Sequence, residues 1–326
     1  MRFLSFLLAL LFACCSISTA MAGSVLNRVK ARGVVRCGGV ERPGLAFPDG
    51  HGHFKGLEVD FCRAVADAVL GAPDQIEFHV YGKTHKGFDA VRNQTDDISF
   101  LTGSEIVRHN LAGKVLPGPT VFVESQNVMV PSKSAVRHVA DLAGDSICYM
   151  IGSPVEQSLN AYFAGLHKQF FHRAFSEHGE MVDTYRAQDC HALAGEITYL
   201  AAARLNGGIN HITSRILPES LSTYPVMAAT GVTDAQWSAI VAWTVDTLIS
   251  AERPETRWSN SGAGAMPVVA PELGLGGGWQ RRVLEAVGSY KDIFARNLGN
   301  HSPLKLTCGL NANQVNGGLL LAPFLQ

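Results

Sequence analysis

The sequence predicts an α/β protein of two lobes with a cleft between them. Three observations point there. Apolar residues switch repeatedly between strand period and helix period from Val34 to Leu101. The same rhythm restarts after about residue 120. Two long extended stretches, Thr120–Val130 and Pro218–Ala229, bracket that second set, so the chain crosses between lobes twice. Alternating strands and helices build a mainly parallel sheet, and such sheets bind ligands beyond the carboxyl ends of their strands.

The elements follow in order. A helix around Leu26–Lys30 precedes a short β-branched strand, Val34–Cys37. Leu57–Leu70 carries Phe61, Cys62, Val65, Ala66 and Val69 at helical spacing. Ile76–Tyr81 alternates as a strand, Phe88 and Val91 belong to a short helix, and Asp97–Leu101 is a strand. After the first crossing, Ser146–Ile151 is a strand that Gly152-Ser153-Pro154 turns into a helix reaching about Ala164. Ala192–Ala194 ends a strand ahead of a helix through Arg204. After the second crossing, Asp234–Ala251 places Trp237, Ile240, Val241, Val245 and Leu248 on one helical face. Arg253–Gly278 is rich in Gly, Pro and Ser and reads as mostly loop; helices at Gln280–Val287 and Asp292–Leu298 precede a Gly-rich tail. The expected lobes are residues 23–125 plus 228–326, and residues 126–227. Hinges are expected near Ser125–Asn127 and Tyr224–Ala228.

Composition narrows the function classes. The 326 residues are 47% hydrophobic and 17% charged, which suits a folded chain with proper cores. Lys+Arg is 27 and Asp+Glu 28, a formal charge of −1. That excludes a strongly basic nucleic-acid binder and a polybasic membrane-surface protein. The start reads as an export signal, residues 1–22: Arg2, an apolar run Phe3–Ala13, and small residues ending Ala20-Met21-Ala22. The run is short of the roughly 20 residues of a spanning helix. Leu11-Phe12-Ala13-Cys14 also resembles a lipobox loosely, with Phe12 bulky for its position.

Cleavage removes Cys14 and Cys15 and leaves Cys37, Cys62, Cys148, Cys190 and Cys308 in an oxidising compartment. Some should pair, and the odd count leaves at least one thiol. No C-x-x-C or zinc-spaced Cys/His cluster occurs, and His51-Gly52-His53 reads as a solvated turn, so no metal is expected. No Gly-x-Ser-x-Gly, His-Glu-x-x-His or Walker-type phosphate loop is present.

Several stretches carry a family resemblance: Val29-Lys30-Ala31-Arg32-Gly33-Val34, Lys55-Gly56-Leu57-Glu58-Val59-Asp60-Phe61-Cys62-Arg63-Ala64, Trp237-Ser238-Ala239-Ile240-Val241-Ala242-Trp243, Asn297-Leu298-Gly299 and the tail from Gly309 to Leu319. Together they make the chain, from about Leu26 to Phe324, resemble the periplasmic solute-binding proteins of polar amino-acid ABC transporters, the general L-amino-acid subgroup in particular. The resemblance implies a type II periplasmic-binding-protein fold with two hinge strands. It implies a ligand carboxylate clamped by Arg108, with Thr102, Gly103 and Ser104 supplying hydroxyls or amides beside it. Glu196 stands where the family carries an aspartate for the ligand ammonium. Gly152-Ser153-Pro154 matches a helix start that offers donors to the carboxylate, with Pro154 in place of a threonine and Ser153 as the compensating group. Gly103 stands where a Ser or Thr is usual. Aromatic wall candidates are Phe47 and Phe88, and Phe100 falls at a polar position of the subgroup. The subgroup's cysteines imply a Cys148–Cys190 disulfide; Cys37 and Cys62 are a second candidate pair, with Cys308 left as the thiol.

The implied function is capture of an L-amino acid or similar polar solute by lobe closure, as a monomer, and delivery to an inner-membrane permease. No cofactor and no covalent chemistry are required. The alternatives are a periplasmic dehydratase of the cyclohexadienyl type on the same fold, with Glu196 as general acid, and a sensor or degenerate paralogue with another ligand, which Gly103 and Pro154 motivate.

Overall fold

The structure, a computed structural model, describes residues 25–82, 84–110, 113–205, 213–252 and 270–322. The expected signal, residues 1–22, and most of the expected loop after Arg253 lie outside the described residues. Among the described residues no helix is long and apolar enough to cross a membrane.

The first half runs α1 (Val25–Arg32), β1 (Val35–Gly39), a small hairpin β2 (Phe47–Pro48) and β3 (Phe54–Lys55), α2 (Leu57–Leu70), β4 (Ile76–Val80), α3 (Thr84–Arg92), β5 (Ile98–Thr102), α4 (Gly103–His109) and β6 (Val115–Leu116). β1 pairs in parallel with both β4 and β5. The long β7 (Thr120–Pro131) then leaves for the second half: β8 (Ser146–Met150), α5 (Pro154–Gly165), β9 (Phe171–Phe175), α6 (His178–Arg186), β10 (Ala192–Glu196) and α7 (Ile197–Leu205). There β8 pairs in parallel with β9 and β10. The second long strand, β11 (Ser214–Gly231), returns to α8 (Ala235–Ser250), α9 (Ala270–Leu273), α10 (Trp279–Val287) and α11 (Tyr290–Asn297).

One sheet therefore passes through both lobes in the order β4-β1-β5-β11-β7-β10-β8-β9, with β6 attached to β11. β7 and β11 run antiparallel at its centre. Their ladder is irregular between Ile216 and Ser222. Pro218 falls in that gap, where its missing N–H costs no ladder bond, so β11 begins earlier than the expected Pro218. Val226–Ala229 pairs with β5. That part of the expected second hinge is thus held in the first lobe's sheet, and the looser stretch lies before it.

The larger core surrounds Trp237, Trp279, Tyr290 and Phe61. α8 is fixed at its start by Asp234, whose carboxylate accepts from the Trp237 N–H at 2.9 Å and from the Val25 N–H at 2.6 Å. The second lobe has a smaller core around Tyr149, Leu159 and Phe163. Cys37–Cys62 joins β1 to α2 within the larger core, and Cys148–Cys190 joins β8 to the segment before β10 in a separate cluster with Met181, Tyr185 and Leu193. With sequence separations of 25 and 42, the chain-entropy model assigns them about 3.5 and about 4 kcal/mol. Among the described residues Cys308 is the free cysteine, half-buried.

Three elements carry no readable period. β9 is largely exposed, so it has no apolar alternation. α6 buries only Met181 and Tyr185. The β2–β3 hairpin is two residues per strand.

Candidate functional site

A cavity of about 1310 Å³ opens between the lobes, against the carboxyl ends of β5 and β10 and the residues that follow β1. Arg108, Thr102 and Ser104 line it from the first lobe; Ser153, Pro154 and Glu196 line it from the second. Gly103, Phe47 and Phe88 do not contribute to its lining.

Arg108 is exposed and lies in the last turn of α4. No hydrogen bond or ion pair among the described residues holds its guanidinium. α4 begins at Gly103, so Arg108 lies near its carboxyl end, where the helix dipole favours a cation. Thr102 caps α4; its Oγ1 accepts from the Glu105 N–H at 3.3 Å, while a Glu105 oxygen accepts from the Thr102 N–H at 2.8 Å. The Thr102 and Ser104 hydroxyls are 3.0 Å apart. At Gly103 an added Cβ would stand 3.1 Å from the Pro225 ring. A Ser or Thr there would require that ring to give by a few tenths of an ångström.

Neither aromatic wall candidate lines the cavity. Phe88 is buried with Val91, Leu101 and Ile106, because α3 turns that face onto the sheet. Phe47 sits in the β2–β3 hairpin with the Lys55 ammonium 5.2 Å above its ring. Phe100 is also buried, stacked on Phe78.

The start of α5 is satisfied by the chain itself. The Ser153 hydroxyl donates to the Met150 carbonyl at 2.6 Å and accepts from the Glu156 N–H at 3.3 Å. The Glu156 carboxylate accepts from the Gly152 N–H at 2.6 Å. Pro154 occupies the first helical position. Ser153 therefore caps α5 while lining the cavity. Glu196 is the last residue of β10, half-buried and opposite Gln126 of β7 in register.

Sequence reading missed the most buried charges of the site. Arg42 follows β1, lines the cavity and is 7% exposed. Glu58, Glu105 and Glu124 surround it, and their attraction holds its guanidinium charged against burial. Burial lifts the Glu58 carboxyl to about 8, opposed by Arg42. It lifts Glu124 to about 7, opposed by Arg42 and by the Thr198 hydroxyl, which donates to Glu124 at 2.9 Å. A Cβ at Gly39 would collide with the Glu58 carboxylate, so the glycine is what admits it. The available signal was a charge just beyond a strand's carboxyl end; in sequence, Glu41-Arg42-Pro43-Gly44 reads as a solvated turn. Among the described residues no group of three His, Cys, Asp or Glu could hold a metal ion.

Two α/β lobes, two crossing strands and a polar cleft between them define a solute-binding protein of the type II periplasmic-binding fold. The chain is 31% identical to the general L-amino acid-binding periplasmic protein AapJ of Rhizobium johnstonii over 94% of both chains. It therefore belongs to the family of periplasmic binding proteins of amino-acid ABC transporters. It is 28% identical to the glutamate/glutamine/aspartate/asparagine-binding protein BztA of Rhodobacter capsulatus, over 94% of this chain and 95% of that one. A solved periplasmic binding protein from Brucella ovis with glutathione bound superposes with a TM-score of 0.76 at 28% identity, covering 93% of this chain and 99% of that one. No protein-family model matches the chain. The family is one of transport proteins, not enzymes, and the dehydratase alternative has no support among these relatives.

Proposed function

We propose that the protein captures an L-amino acid or a similar small polar solute in the periplasm and hands it to an ABC permease. Residues 1–22 are removed on export, and the mature chain works as a monomer. Its lobes are residues 23–125 with 228–326, and residues 126–227. They close by bending β7 near Ser125–Asn127 and β11 in the irregular stretch opposite, and the permease reads the closed form. Arg108 takes the ligand carboxylate, with the Thr102 and Ser104 hydroxyls beside it, and Glu196 takes the ammonium.

One observation carries this reading: a guanidinium on one lobe and a carboxylate on the other border the same cavity. The relatives support the ligand class. AapJ is named for general L-amino acids, BztA for two acidic amino acids and their two amides, and the Brucella ovis protein holds glutathione. The test is a thermal-shift screen of refolded, ligand-stripped protein against all amino acids. A ligand at 100 times its Kd stabilises by about 2.7 kcal/mol. No shift with any amino acid overturns the reading and favours a paralogue with another ligand.

A further inference from the structure

We propose that α7 moves with the first lobe, although it lies between the two crossings in sequence, so that closure bends a third connection: the β10–α7 junction at Glu196 and Ile197. The inference rests on the lobe-closure reading above and adds to it where the chain bends.

The first lobe holds α7 along its length. At its start the Thr198 hydroxyl donates to the Glu124 carboxylate at 2.9 Å, and both residues are fully buried. One residue on, the Tyr199 hydroxyl donates to the Glu41 carbonyl, in the turn after β1, at 2.9 Å. In the last turn the Arg204 guanidinium donates to the Leu304 carbonyl of the carboxyl-terminal segment. Between these ties Ala201 is fully buried in the larger core, and Ala202 packs against it.

The second lobe meets α7 differently. Leu200 and Ala203 pack in the cluster of Met181, Tyr185 and the Cys148–Cys190 bridge. The Arg186 guanidinium reaches the Ala203 carbonyl at 3.3 Å, a longer bond than the two measured at 2.9 Å on the other side. Apolar contact has no direction, so packed faces slide by small steps, whereas a hydrogen bond weakens steeply once its partners turn. The face toward the second lobe is therefore the one that slips.

The other two connections are fixed on the same side of their bends. In β7 the Val123 N–H donates to Asn311 Oδ1 at 2.6 Å, and Asn311 Nδ2 donates back to the Val123 carbonyl at 3.0 Å. In β11, Val226–Ala229 is held by β5. Beyond the bend, Asn127 Nδ2 donates to the Glu219 carbonyl at 2.9 Å and to the Leu217 carbonyl at 3.4 Å, so the two strands travel together in the second lobe. The carboxyl-terminal segment thus fixes two of the three connections, α7 through Leu304 and β7 through Asn311. Glu196 stands at the bend itself, as the last residue of β10.

Spin-label distances in the ligand-stripped mature chain test the assignment, with Cys308→Ser removing the native thiol. Labels go in pairs at three exposed positions: Ala286→Cys on α10 of the first lobe, Leu205→Cys at the end of α7, and Asn160→Cys on α5 of the second. Each pair is measured with and without an equimolar mixture of the common L-amino acids. The expected result is that the mixture shifts the Asn160–Ala286 and Asn160–Leu205 distances, while Leu205–Ala286 shifts by less than about a third as much. A constant Asn160–Leu205 distance, with Asn160–Ala286 moving, places α7 in the second lobe and overturns this inference alone. No shift in any pair overturns it together with the closure reading. A second arm combines Tyr199→Phe with Arg204→Met, which cuts two of the ties to the first lobe. With folding checked by melting, the ligand-driven shift of Leu205–Ala286 should rise at least about twofold; an unchanged shift in the folded variant counts against the ties.

Discussion

Two polar surfaces border the cleft, and they differ in how far the chain meets its own hydrogen-bonding needs. At the start of α5, Ser153 is engaged on both sides and the Glu156 carboxylate takes the Gly152 N–H. At the base, Arg42, Glu105 and Gln126 are more deeply buried, yet each keeps an unpaired atom. Burial raises the cost of an unpaired polar group, so leaving it unpaired at the base is tolerable only if something else completes it. The lesson concerns where to look. The family resemblance led both to α5, where the Ser153 hydroxyl and the Gly152 N–H are already engaged, and to Arg108, whose guanidinium is not engaged among the described residues; it did not mark Arg42, Glu105 or Gln126.

The largest expected effect is from Arg42→Met. Truncating one partner of a desolvated charged contact costs about 2–5 kcal/mol, so affinity for the preferred amino acid should fall at least about thirtyfold by calorimetry. A variant that binds as well as wild type would move recognition away from the base. Next is Glu58→Gln. The folded carboxyl titrates at about 8 and its ordinary value is 4.5, so the folded state holds a proton that the unfolded chain releases. The Glu58 contribution to stability should be fullest below about pH 4.5 and decline up to about pH 8. The variant should flatten that decline by a few kcal/mol in urea melts at several pH values. Parallel profiles would remove Glu58 from the buried charge balance.

Arg108→Ala comes third. The guanidinium is exposed, so loss of its hydrogen bonds to a ligand carboxylate should cost about 1.5–3 kcal/mol, with the melting temperature unchanged. Wild-type affinity would assign Arg108 to the helix dipole alone. Smallest is Ser153→Ala. Loss of the cap should lower stability by about 1 kcal/mol and leave affinity within about twofold. A tenfold loss of affinity at the same stability cost would make the α5 surface a ligand contact and undo the contrast.

The architecture was legible because it rests on local period. Leu57–Leu70 is a helix at the predicted bounds, and both crossing strands stand where their apolar runs lie. β9 and α6 were not legible, since an edge strand and a mostly exposed helix bury too little to impose a pattern. The site divides in the same way. Arg108 and Glu196 were marked by the family resemblance, and both border the cleft, one in the helix after β5 and the other at the end of β10. Arg42 looks solvated in sequence; its burial depends on Glu58, Glu105 and Glu124, which arrive from three other parts of the chain. Phe88 shows the converse: an aromatic near the site whose helix turns it inward. Such placements are tertiary facts with no local trace.

The remaining thiol has a consequence for how the chain matures. Burial raises Cys308 to about 11, assisted by Glu252. At neutral pH about one molecule in ten thousand then carries the thiolate, the form that attacks disulfides. Once Cys308 is docked, the odd cysteine is chemically quiet, and the two correct bridges are protected from exchange with it. Oxidative refolding should thus scramble least in conditions that let the carboxyl-terminal segment dock early, before the bridges are closed.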